Sequence, residues 1–472
     1  MRTERDFLGE VQLPDNVYYG VQTLRAVTNF SITGHRLSRE FIVALAVIKK
    51  ASANANIKAC LLSENIGKAI IQAADEIISG KWHDQFVVDP IQGGAGTSMN
   101  MNANEVIANR AIEILGGQKG EYTLVSPNNH VNMSQSTNDV IPTAIRIATI
   151  VKGKKLVNEL SALVDSFNDK AVSFQNVLKM GRTHLQDAVP ITLGQEFKAY
   201  ADALCRSIKR IEVSMNSLKE INMGATAVGT GLNAEPVYIA EVAKQISQLT
   251  DVNYTTSLNL IDATQNTDVL ADFSSTLKVC ALTLSKISND LRLMASGPRT
   301  GLNEIYLPAL QPGSSIMPGK INPVIPELVN QVAFQVIGND QAVALAVEAG
   351  QLELNVMEPV LAYNLFSSLT ILTNAVNALN YKCIQGIKAN EEKCREAVNR
   401  SLGILTALTP HIGYERASLI AKEAQQTGKP IREIILEQNL MNNDQLDVIL
   451  SPGEMTKPGI SGKQYMDLYC KV

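Results

Sequence analysis

Apolar residues recur with a helical period through the middle of the chain, in alternating steps of three and four residues. Residues 270–294 show this period without interruption and residues 197–218 repeat it, and neither stretch contains glycine or proline. The apolar positions are Leu270, Phe273, Leu277, Cys280, Leu284, Ile287, Leu291 and Met294 in the first stretch, and Phe197, Ala201, Leu204, Ile208, Ile211, Met215 and Leu218 in the second. This spacing is a heptad seam, and it predicts long helices that pack lengthwise against other long helices.

Similar helical patterns occupy residues of about 143–174, 326–349 and 359–387. The sequence therefore predicts five long helices, each well above the mean of about 11 or 12 residues in globular proteins. We expect an all-α fold with three domains: an N-terminal domain over 1–140, a central bundle of the five long helices over 141–392, and a small helical domain over 393–472. Seams of this length also favour self-association into a larger bundle.

The overall charge and the cysteines exclude several classes of function. A formal charge of -4 over 472 residues is too weak to attract nucleic acid or a membrane surface. The six cysteines form no CxxC pair and have no histidines at zinc-binding spacing, which predicts reduced thiols rather than a disulfide or a metal site. They are Cys60, Cys205, Cys280, Cys383, Cys394 and Cys470.

Two segments bear on targeting. The N-terminal stretch MRTERDFLGE is charged from its second residue, which is not the pattern of a signal peptide. Residues 359–381 are uncharged and long enough to span a bilayer. They carry four asparagines, however, whose amide groups are costly in lipid. We therefore expect a cytoplasmic protein, not associated with a membrane, in which residues 359–381 form a buried helix.

Four polar stretches place hydroxyl and amide groups near the ends of the predicted long helices. They are GTSMNMNANE at 96–105, SQSTND at 134–139, GRTHLQDAVP at 181–190 and GSSIMPGKIN at 313–322. Their neutral donors, with the single charge of Lys320, suit a small, multiply anionic substrate. Such donors also stabilise the enediolate that forms when a proton leaves the carbon next to a carboxylate. The hydroxyl groups in question are those of Thr97, Ser136, Thr137, Thr183 and Ser315.

Proton abstraction from carbon requires a base, and the residues offer two candidates. Histidine titrates near neutral pH, which favours His184 on chemical grounds. A serine of the 313–322 loop is the other candidate, if neighbouring N–H groups and Lys320 stabilise its alkoxide. The same loop is not a phosphate-binding P-loop, because five residues separate Gly313 from Gly319 and Ile321 stands where a Ser or Thr is required.

Each stretch also has an ordinary structural interpretation. Serine and asparagine at helix ends are most often caps and turns. On this view residues 96–105 only cap a helix that starts at Glu105, and His130, His184 and His411 are hydrogen-bonded structural residues. Residues 223–233, MGATAVGTGLN, lack the strand–turn–helix context of dinucleotide binding and are predicted to form a tight connection between helices.

GSSIMPGKINP at 313–323 closely resembles the signature loop of the aspartase/fumarase superfamily, whose members cleave C–N or C–O bonds and release fumarate. GTSMNMNANEVIANRA, HVNMSQSTND, GRTHLQDAVPITLGQE and TPHIGYERA are similar to further family blocks, in the family's order and over the whole chain. The resemblance implies a three-domain helical fold, a homotetramer with a twenty-helix core, and active sites shared by three subunits. It implies no organic cofactor. It leaves open whether Mg²⁺ activates the protein, and no residues here have metal-ligand spacing.

Within the superfamily, the blocks are more similar to the aspartase branch than to class II fumarases. YYGVQTLRA stands where fumarases have a Trp-Gly-Ala-Gln-Thr-Gln pattern, Ser98-Met99 where they have Gln-Ser, and Thr137 where they have Ser. The resemblance implies reversible deamination of L-aspartate to fumarate and ammonia, by anti β-elimination through an enediolate. The alternative is a fumarate hydratase acting on malate and fumarate. A non-catalytic role, as in lens crystallins of this fold, is disfavoured by the intact Ser314, Lys320, Asn322 and His184.

The resemblance also assigns roles to residues. It makes Ser314, the first serine of the pair, the general base, and so overrides the chemical preference for His184. The hydroxyl groups of Thr97, Ser136, Thr137, Thr183 and Ser315 then hold the β-carboxylate and its enediolate form. Lys320 and Asn322 bind the α-carboxylate, and Asn138 and His184 lie near the amino group that leaves. The loop that carries Ser314 is expected to close over the substrate.

Overall fold

The fold consists mainly of helices, and the computed structural model describes residues 1–466, so that Cys470 lies outside it. The all-α prediction is confirmed. The helices are α1 (Val21–Asn29), α2 (Arg39–Lys58), α3 (Glu64–Ile78), α4 (Thr97–Ile114), α5 (Thr137–Ser173), α6 (Leu193–Ser217), α7 (Pro236–Thr250), α8 (Leu260–Gln265), α9 (Asp268–Met294), α10 (Val324–Glu348), α11 (Glu358–Lys382), α12 (Glu391–Arg400), α13 (Leu405–Ile412), α14 (Tyr414–Thr427), α15 (Ile431–Glu437), α16 (Asn443–Ile449) and α17 (Pro452–Met455).

Short strands pair two by two between the helices. The antiparallel pairs are β1 (Arg2–Asp6) with β2 (Gly9–Leu13), β3 (Leu178–Thr183) with β4 (Gln186–Thr192), and β7 (Ile305–Tyr306) with β8 (Lys388–Ala389). The parallel pair is β5 (Glu220–Ile221) with β6 (Thr255–Thr256). No strand was predicted, and the β3–β4 hairpin is the one that matters for the site because it occupies the polar stretch 181–190.

The five predicted long helices are present as α5, α6, α9, α10 and α11. All eight seam positions of α9 are buried, and those of the stretch 197–218, which α6 covers to Ser217, are buried apart from the half-buried Ile208. Other apolar side chains of these helices face solvent in the single chain: Leu282 of α9 is 50% exposed, and Phe334 and Leu345 of α10 are 64% and 60% exposed. The long helices therefore carry apolar surface beyond what one chain buries.

The chain groups into two compact units, each made of three separate segments. Unit 1 comprises Met1–Asn158, Ser207–Ala281 and Val332–Thr373. In it α2 packs against α3 and α7, and α3 packs against α4. Unit 2 comprises Glu159–Arg206, Leu282–Gln331 and the residues from 374 onward. Each of the five long helices begins in one unit and ends in the other. The three predicted domain ranges stay a prediction.

One helix among the described residues has the length and apolar composition of a membrane span, over Glu358–Gly386. It contains the uncharged stretch 359–381 discussed above. Of its most apolar 18-residue window, 56% is buried inside the protein. A core helix with this degree of burial has the same composition as a membrane span, so the composition alone does not indicate a membrane.

A hydrophobic cluster in unit 2 joins the C-terminal helices to the β3–β4 hairpin. It includes Met180 of β3 together with Leu408, Ile420, Ile434 and Leu446 of the C-terminal helices. Two closer contacts fix the hairpin to the turn before α13. Ser401 Oγ donates to a carboxylate oxygen of Asp187 at 2.9 Å, and a Cβ built on Gly403 would lie 2.1 Å from the Ala188 carbonyl oxygen.

Gly403→Ala is expected to lower the stability of the protein by about 1–3 kcal/mol, because the added methyl group overlaps a backbone carbonyl that a rotamer change cannot move. The measurement is the thermal unfolding midpoint of the purified protein. Gly453→Ala is the matched control, since nothing lies within 4 Å of the Cβ it adds. Equal midpoints for the two variants would contradict the close contact.

Candidate active site

The first turns of α4 and α5 lie side by side, and they bring the first two polar stretches together. Gly96 precedes α4 with φ of 84°, a left-handed conformation that favours glycine. A Cβ on Gly96 would lie only 3.0 Å from Ile141 of α5. The Asn100 amide donates to Thr137 Oγ1 at 3.3 Å. Thr97 and Thr137 are the first residues of their helices, where the helix dipole favours an anion.

Helix α4 begins at Thr97, eight residues before the start that a simple cap would give, so the capping interpretation of residues 96–105 is wrong. The asparagines inside the helix are buried and bonded instead. Asn102 Oδ1 accepts from the Val87 N–H at 3.0 Å, and Asn104 Nδ2 donates to Asn132 Oδ1 at 3.1 Å. The polar side chains of this block therefore hold α4 in place through long-range hydrogen bonds.

Lys49 lies beneath this block, and the sequence analysis did not single it out. Its ammonium group donates to Asn100 Oδ1 at 2.7 Å, Gln135 Oε1 at 2.9 Å and Asn132 Oδ1 at 3.0 Å. The side chain is fully buried, and burial lowers its pKa to about 7. The only signal in the sequence was a lysine that continues the apolar face of α2 from Phe41 and Leu45.

Asp139 is a second functional candidate that sequence reasoning missed. Its carboxylate is fully buried and accepts from the Ser136 N–H at 2.9 Å, the Thr226 N–H at 3.1 Å and the Gly224 N–H at 3.2 Å. Burial raises the pKa of Asp139 to about 7, and the nearby Lys49 charge opposes that rise. The connection over residues 223–233 is therefore tied to the start of α5 by one carboxylate.

The stretch 181–190 forms the β3–β4 hairpin of unit 2. Thr183 pairs with Gln186, and the two turn residues His184 and Leu185 have φ of 54° and 60°. Thr183 and His184 are exposed at the tip. The hairpin base is held by buried charges: Lys179 contacts Glu304 at 2.8 Å, and Arg182 contacts the same carboxylate at 2.7 Å. The tip is thus presented on a rigid support.

The loop 313–322 closes into a ring. The Gly313 N–H donates to the Lys320 carbonyl at 2.7 Å, and Asn322 Nδ2 donates to the Gly313 carbonyl at 2.8 Å. A Cβ on Gly313 would lie 2.8 Å from the Lys320 carbonyl oxygen, so glycine is required at this position. Inside the ring, Ser314 Oγ accepts from the N–H groups of Ile316 at 3.2 Å and Met317 at 3.1 Å.

The Ser314 geometry supplies the neighbouring N–H groups that a serine base requires, while the contribution of Lys320 stays a prediction. Two backbone N–H groups point at the oxygen that would carry the negative charge, as in an oxyanion hole. The side chains of Ser315 and Lys320 are exposed on the same loop. Ten residues between Ala309 and Ile321, among them Ser314 and Lys320, line a cavity of about 420 Å³, and that cavity is large enough for a small dicarboxylate.

The predicted site residues fall into two groups. Thr97, Ser136, Thr137 and Asn138 belong to unit 1, whereas Thr183, His184, Ser314, Ser315, Lys320 and Asn322 belong to unit 2. Their assigned roles stay predictions. Within residues 1–466, no cluster of three or more His, Cys, Asp and Glu side chains is arranged to hold a metal ion. His130 and His411 have structural partners: His130 Nδ1 accepts from the Ser126 N–H at 2.9 Å, and His411 Nε2 contacts the Ser461 carbonyl at 2.7 Å.

Comparison with known proteins gives matches over nearly the whole chain. A family model described as "Lyase" matches residues 9–338, and one described as "Fumarase C C-terminus" matches residues 404–457. A curated protein of Bacillus subtilis (strain 168), named aspartate ammonia-lyase, is 59% identical over 99% of this chain and 98% of its own length. A solved fumarate lyase:delta crystallin from Brucella melitensis, bound to cobalt, is 48% identical with a TM-score of 0.95, covering 97% of this chain and 100% of its own. A class II fumarase from Schistosoma mansoni is 36% identical with a TM-score of 0.91, covering 97% of this chain and 99% of its own.

Proposed function

The chain belongs to the aspartase/fumarase superfamily of lyases, and on that premise we propose that it deaminates L-aspartate reversibly to fumarate and ammonia. Relatives named aspartate ammonia-lyase are 49–59% identical to it, whereas the class II fumarase is 36% identical. These values favour aspartate over malate as the substrate. The observation that carries the chemistry is Ser314 Oγ with its two backbone N–H donors.

Binding begins with the two carboxylates of the substrate. The β-carboxylate is held by the hydroxyl groups of Thr97, Ser136, Thr137, Thr183 and Ser315, and the helix N-termini at Thr97 and Thr137 add favourable dipoles. The α-carboxylate binds the Lys320 ammonium. Asn322 Nδ2 holds the loop ring closed through Gly313, and it turns to the α-carboxylate when the loop closes over the substrate.

The elimination itself proceeds in two steps. The Ser314 alkoxide takes the proton from C3, and the electron pair of that C–H bond moves into the β-carboxylate to give an enediolate. The negative charge of the enediolate is stabilised by the hydroxyl groups around it. The electron pair then returns to form the C2–C3 double bond, the C2–N bond breaks, and the ammonium group leaves as ammonia. Asn138 and His184 lie beside the departing nitrogen.

We propose a cytoplasmic homotetramer with each site built from three subunits. The exposed apolar side chains of Leu282, Phe334 and Leu345 on the long helices support this assembly, because monomeric proteins rarely leave extended apolar faces in water. No organic cofactor takes part in the proposed chemistry. Activation by Mg²⁺ would require ligands other than a cluster of His, Cys, Asp and Glu side chains within residues 1–466.

The direct test of the proposed function is the ultraviolet absorbance of fumarate. Purified protein is mixed with L-aspartate in one cuvette and with L-malate in another. Absorbance that rises with aspartate alone is the expected result. A rise with malate alone would replace the proposal by the hydratase reaction, and two flat traces would leave only the fold in common with the family.

Lys320→Ala is expected to raise KM for L-aspartate about 10- to 100-fold with a smaller change in kcat, because a hydrogen bond to a charged partner contributes about 1.5–3 kcal/mol. Initial rates over a range of aspartate concentrations give both constants. Lys320→Arg, which keeps the charge, is the matched control and is expected to recover part of the affinity. An unchanged KM in the alanine variant would remove Lys320 as the carboxylate anchor.

A further inference from the structure

The side-chain amide of Asn138 is held in one orientation. Its Nδ2 donates to the carbonyl oxygen of Ala227 at 2.7 Å. Since a carbonyl oxygen accepts but never donates, the NH₂ group must face Ala227, and Oδ1 is the atom left for another partner. Among residues 1–466 no donor is bonded to that oxygen. Asn138 therefore presents a hydrogen-bond acceptor rather than a donor.

The backbone of Asn138 is also fixed. Its N–H donates to Ser136 Oγ at 3.2 Å. Its carbonyl has no helical partner, because Pro142 stands four residues later and lacks an N–H. The Asn222 amide takes that place and donates to the Asn138 carbonyl at 3.0 Å. The position of the side chain is thus set by the start of α5, and its rotation is set by Ala227.

Asp139 anchors the segment that carries Ala227. Its Oδ2 accepts from the N–H groups of Gly224 and Thr226, which lie on either side of Ala225 and directly before Ala227. Both residues have left-handed backbones, with φ of 93° and 58°. For the β-branched Thr226 this conformation costs about 1–3 kcal/mol, and it persists only where surrounding contacts determine it. The buried Asp139 carboxylate supplies such contacts on one side of the segment.

We propose that Asp139 is a positioning residue for amine recognition: by fixing the segment 224–227 it turns the Asn138 amide so that Oδ1 accepts a hydrogen bond from the substrate ammonium. This inference rests on the proposed function. An ammonium group carries only donors, so an acceptor recognises it and a reversed amide would oppose it. A dicarboxylate without an amino group makes no use of the contact. Asp139 itself does not touch the substrate.

Asp139 also holds Ser136, and the test must separate this influence from the one on Asn138. Its Oδ1 also accepts from the Ser136 N–H, and Ser136 is placed at the β-carboxylate. A change at Asp139 that acts through Ser136 weakens the binding of every dicarboxylate alike. A change that acts through Asn138 weakens aspartate alone. The ratio of the dissociation constants of succinate and aspartate therefore isolates the amine contact.

The experiment measures both dissociation constants by equilibrium dialysis of the full-length protein, in a Ser314→Ala background that binds aspartate without turning it over. Asp139→Asn keeps the size of the side chain but places an NH₂ group against backbone N–H donors. We expect the preference for aspartate over succinate to fall about 10- to 100-fold, the range for a lost hydrogen bond to a charged group. Asn138→Ala is expected to show a similar fall.

The double variant Asp139→Asn with Asn138→Ala decides whether the two residues act along one path. Its preference for aspartate is expected to equal that of Asn138→Ala alone, because Asp139 works through Asn138. Asp340→Asn is the matched control, since Asp340 is also a buried carboxylate with hydrogen bonds of its own from Ser274 and Lys278. That control is expected to leave the preference unchanged.

Gly224→Ala leaves Asp139 unchanged, so it gives a second measurement even where the Asp139→Asn variant fails to assemble. The added Cβ would lie 3.0 Å from the Ile239 side chain at a backbone with positive φ, so it displaces the same segment from another side. The inference would be overturned if the preference for aspartate over succinate were unchanged in both Asp139→Asn and Gly224→Ala. It would also be overturned if the losses of Asp139→Asn and Asn138→Ala added in the double variant. Fumarate formation by the unmodified protein is measured separately, so that failure of the proposed function is recognised as such.

Discussion

Ser314→Ala is expected to lower kcat for fumarate formation from L-aspartate by about 10²- to 10⁴-fold, the range typical for removal of a general base. The Ser314 hydroxyl is the group that the structure surrounds with backbone N–H donors, from Ile316 and Met317. Those donors stabilise an alkoxide on Oγ and have no comparable partner once the oxygen is removed. The binding of aspartate, which in the proposed mechanism depends on the other hydroxyl groups and Lys320, is expected to persist.

The measurement pairs initial rates with size-exclusion chromatography, so that lost turnover is distinguished from lost assembly. Ser418→Ala, the same truncation at an exposed serine on α14, is the matched control and is expected to leave kcat within about twofold, as surface substitutions usually do. His184→Ala tests the rival base. If Ser314→Ala keeps its turnover while His184→Ala loses it, the base is His184 after all.

The double variant Phe334→Asp with Leu345→Asp is expected to dissociate the proposed tetramer and to abolish fumarate formation. Both side chains are exposed on α10, and their spacing of eleven residues, about three helical turns, places them on one face. Carboxylates there would be buried without partners in an assembled bundle, at a cost of several kcal/mol each. Activity is lost because the proposed site draws its residues from three subunits.

Sedimentation gives the oligomeric state of the variant, and assays of the same fractions give its rate of fumarate formation. Leu419→Asp is the matched control, since Leu419 is 68% exposed on α14, outside the long helices. The control is expected to keep both assembly and activity. Folded monomers of the double variant with full activity would refute the shared site, and an intact tetramer would show that this face of α10 is not the interface.

The long helices were predictable because their signal is local. A seam such as Leu270 to Met294 repeats every seven residues, and nothing elsewhere in the chain is needed to read it. The start of α4 was not predictable in the same way. Thr, Ser and Asn compete with the helix for backbone hydrogen bonds, and they are tolerated inside α4 because Lys49 and Asn132 bond to their amides.

The β3–β4 hairpin escaped prediction for a different reason. Two-residue hairpin turns are usually marked by Asn-Gly or Asp-Gly, because both turn residues adopt positive φ. Here His184 and Leu185 occupy those positions, and the sequence gives no turn signal. Residues at such strained positions are often functional, which agrees with the placement of His184 at the proposed site.

The candidate site was proposed in part from composition, since hydroxyl groups and a lone lysine indicated an anionic substrate. Asp139 was missed although it lies in one of the four stretches. Its partners Gly224 and Thr226 are more than 80 residues away, and only the folded chain brings them together. A buried carboxylate whose donors are all backbone N–H groups leaves no complementary charge for a sequence pattern to reveal.

The segmental make-up of the two units has a consequence for biosynthesis. Unit 1 draws on chain from its beginning to Thr373, and unit 2 on segments from Glu159 onward. Neither core is closed until most of the polypeptide has left the ribosome, so the apolar seam of α6 emerges before α9 and the long helices that follow it. Such contacts, distant in sequence, form slowly and pass through aggregation-prone intermediates. The nascent chain therefore exposes apolar surface until α11 has been synthesised, and a fragment ending before α11 lacks part of both cores.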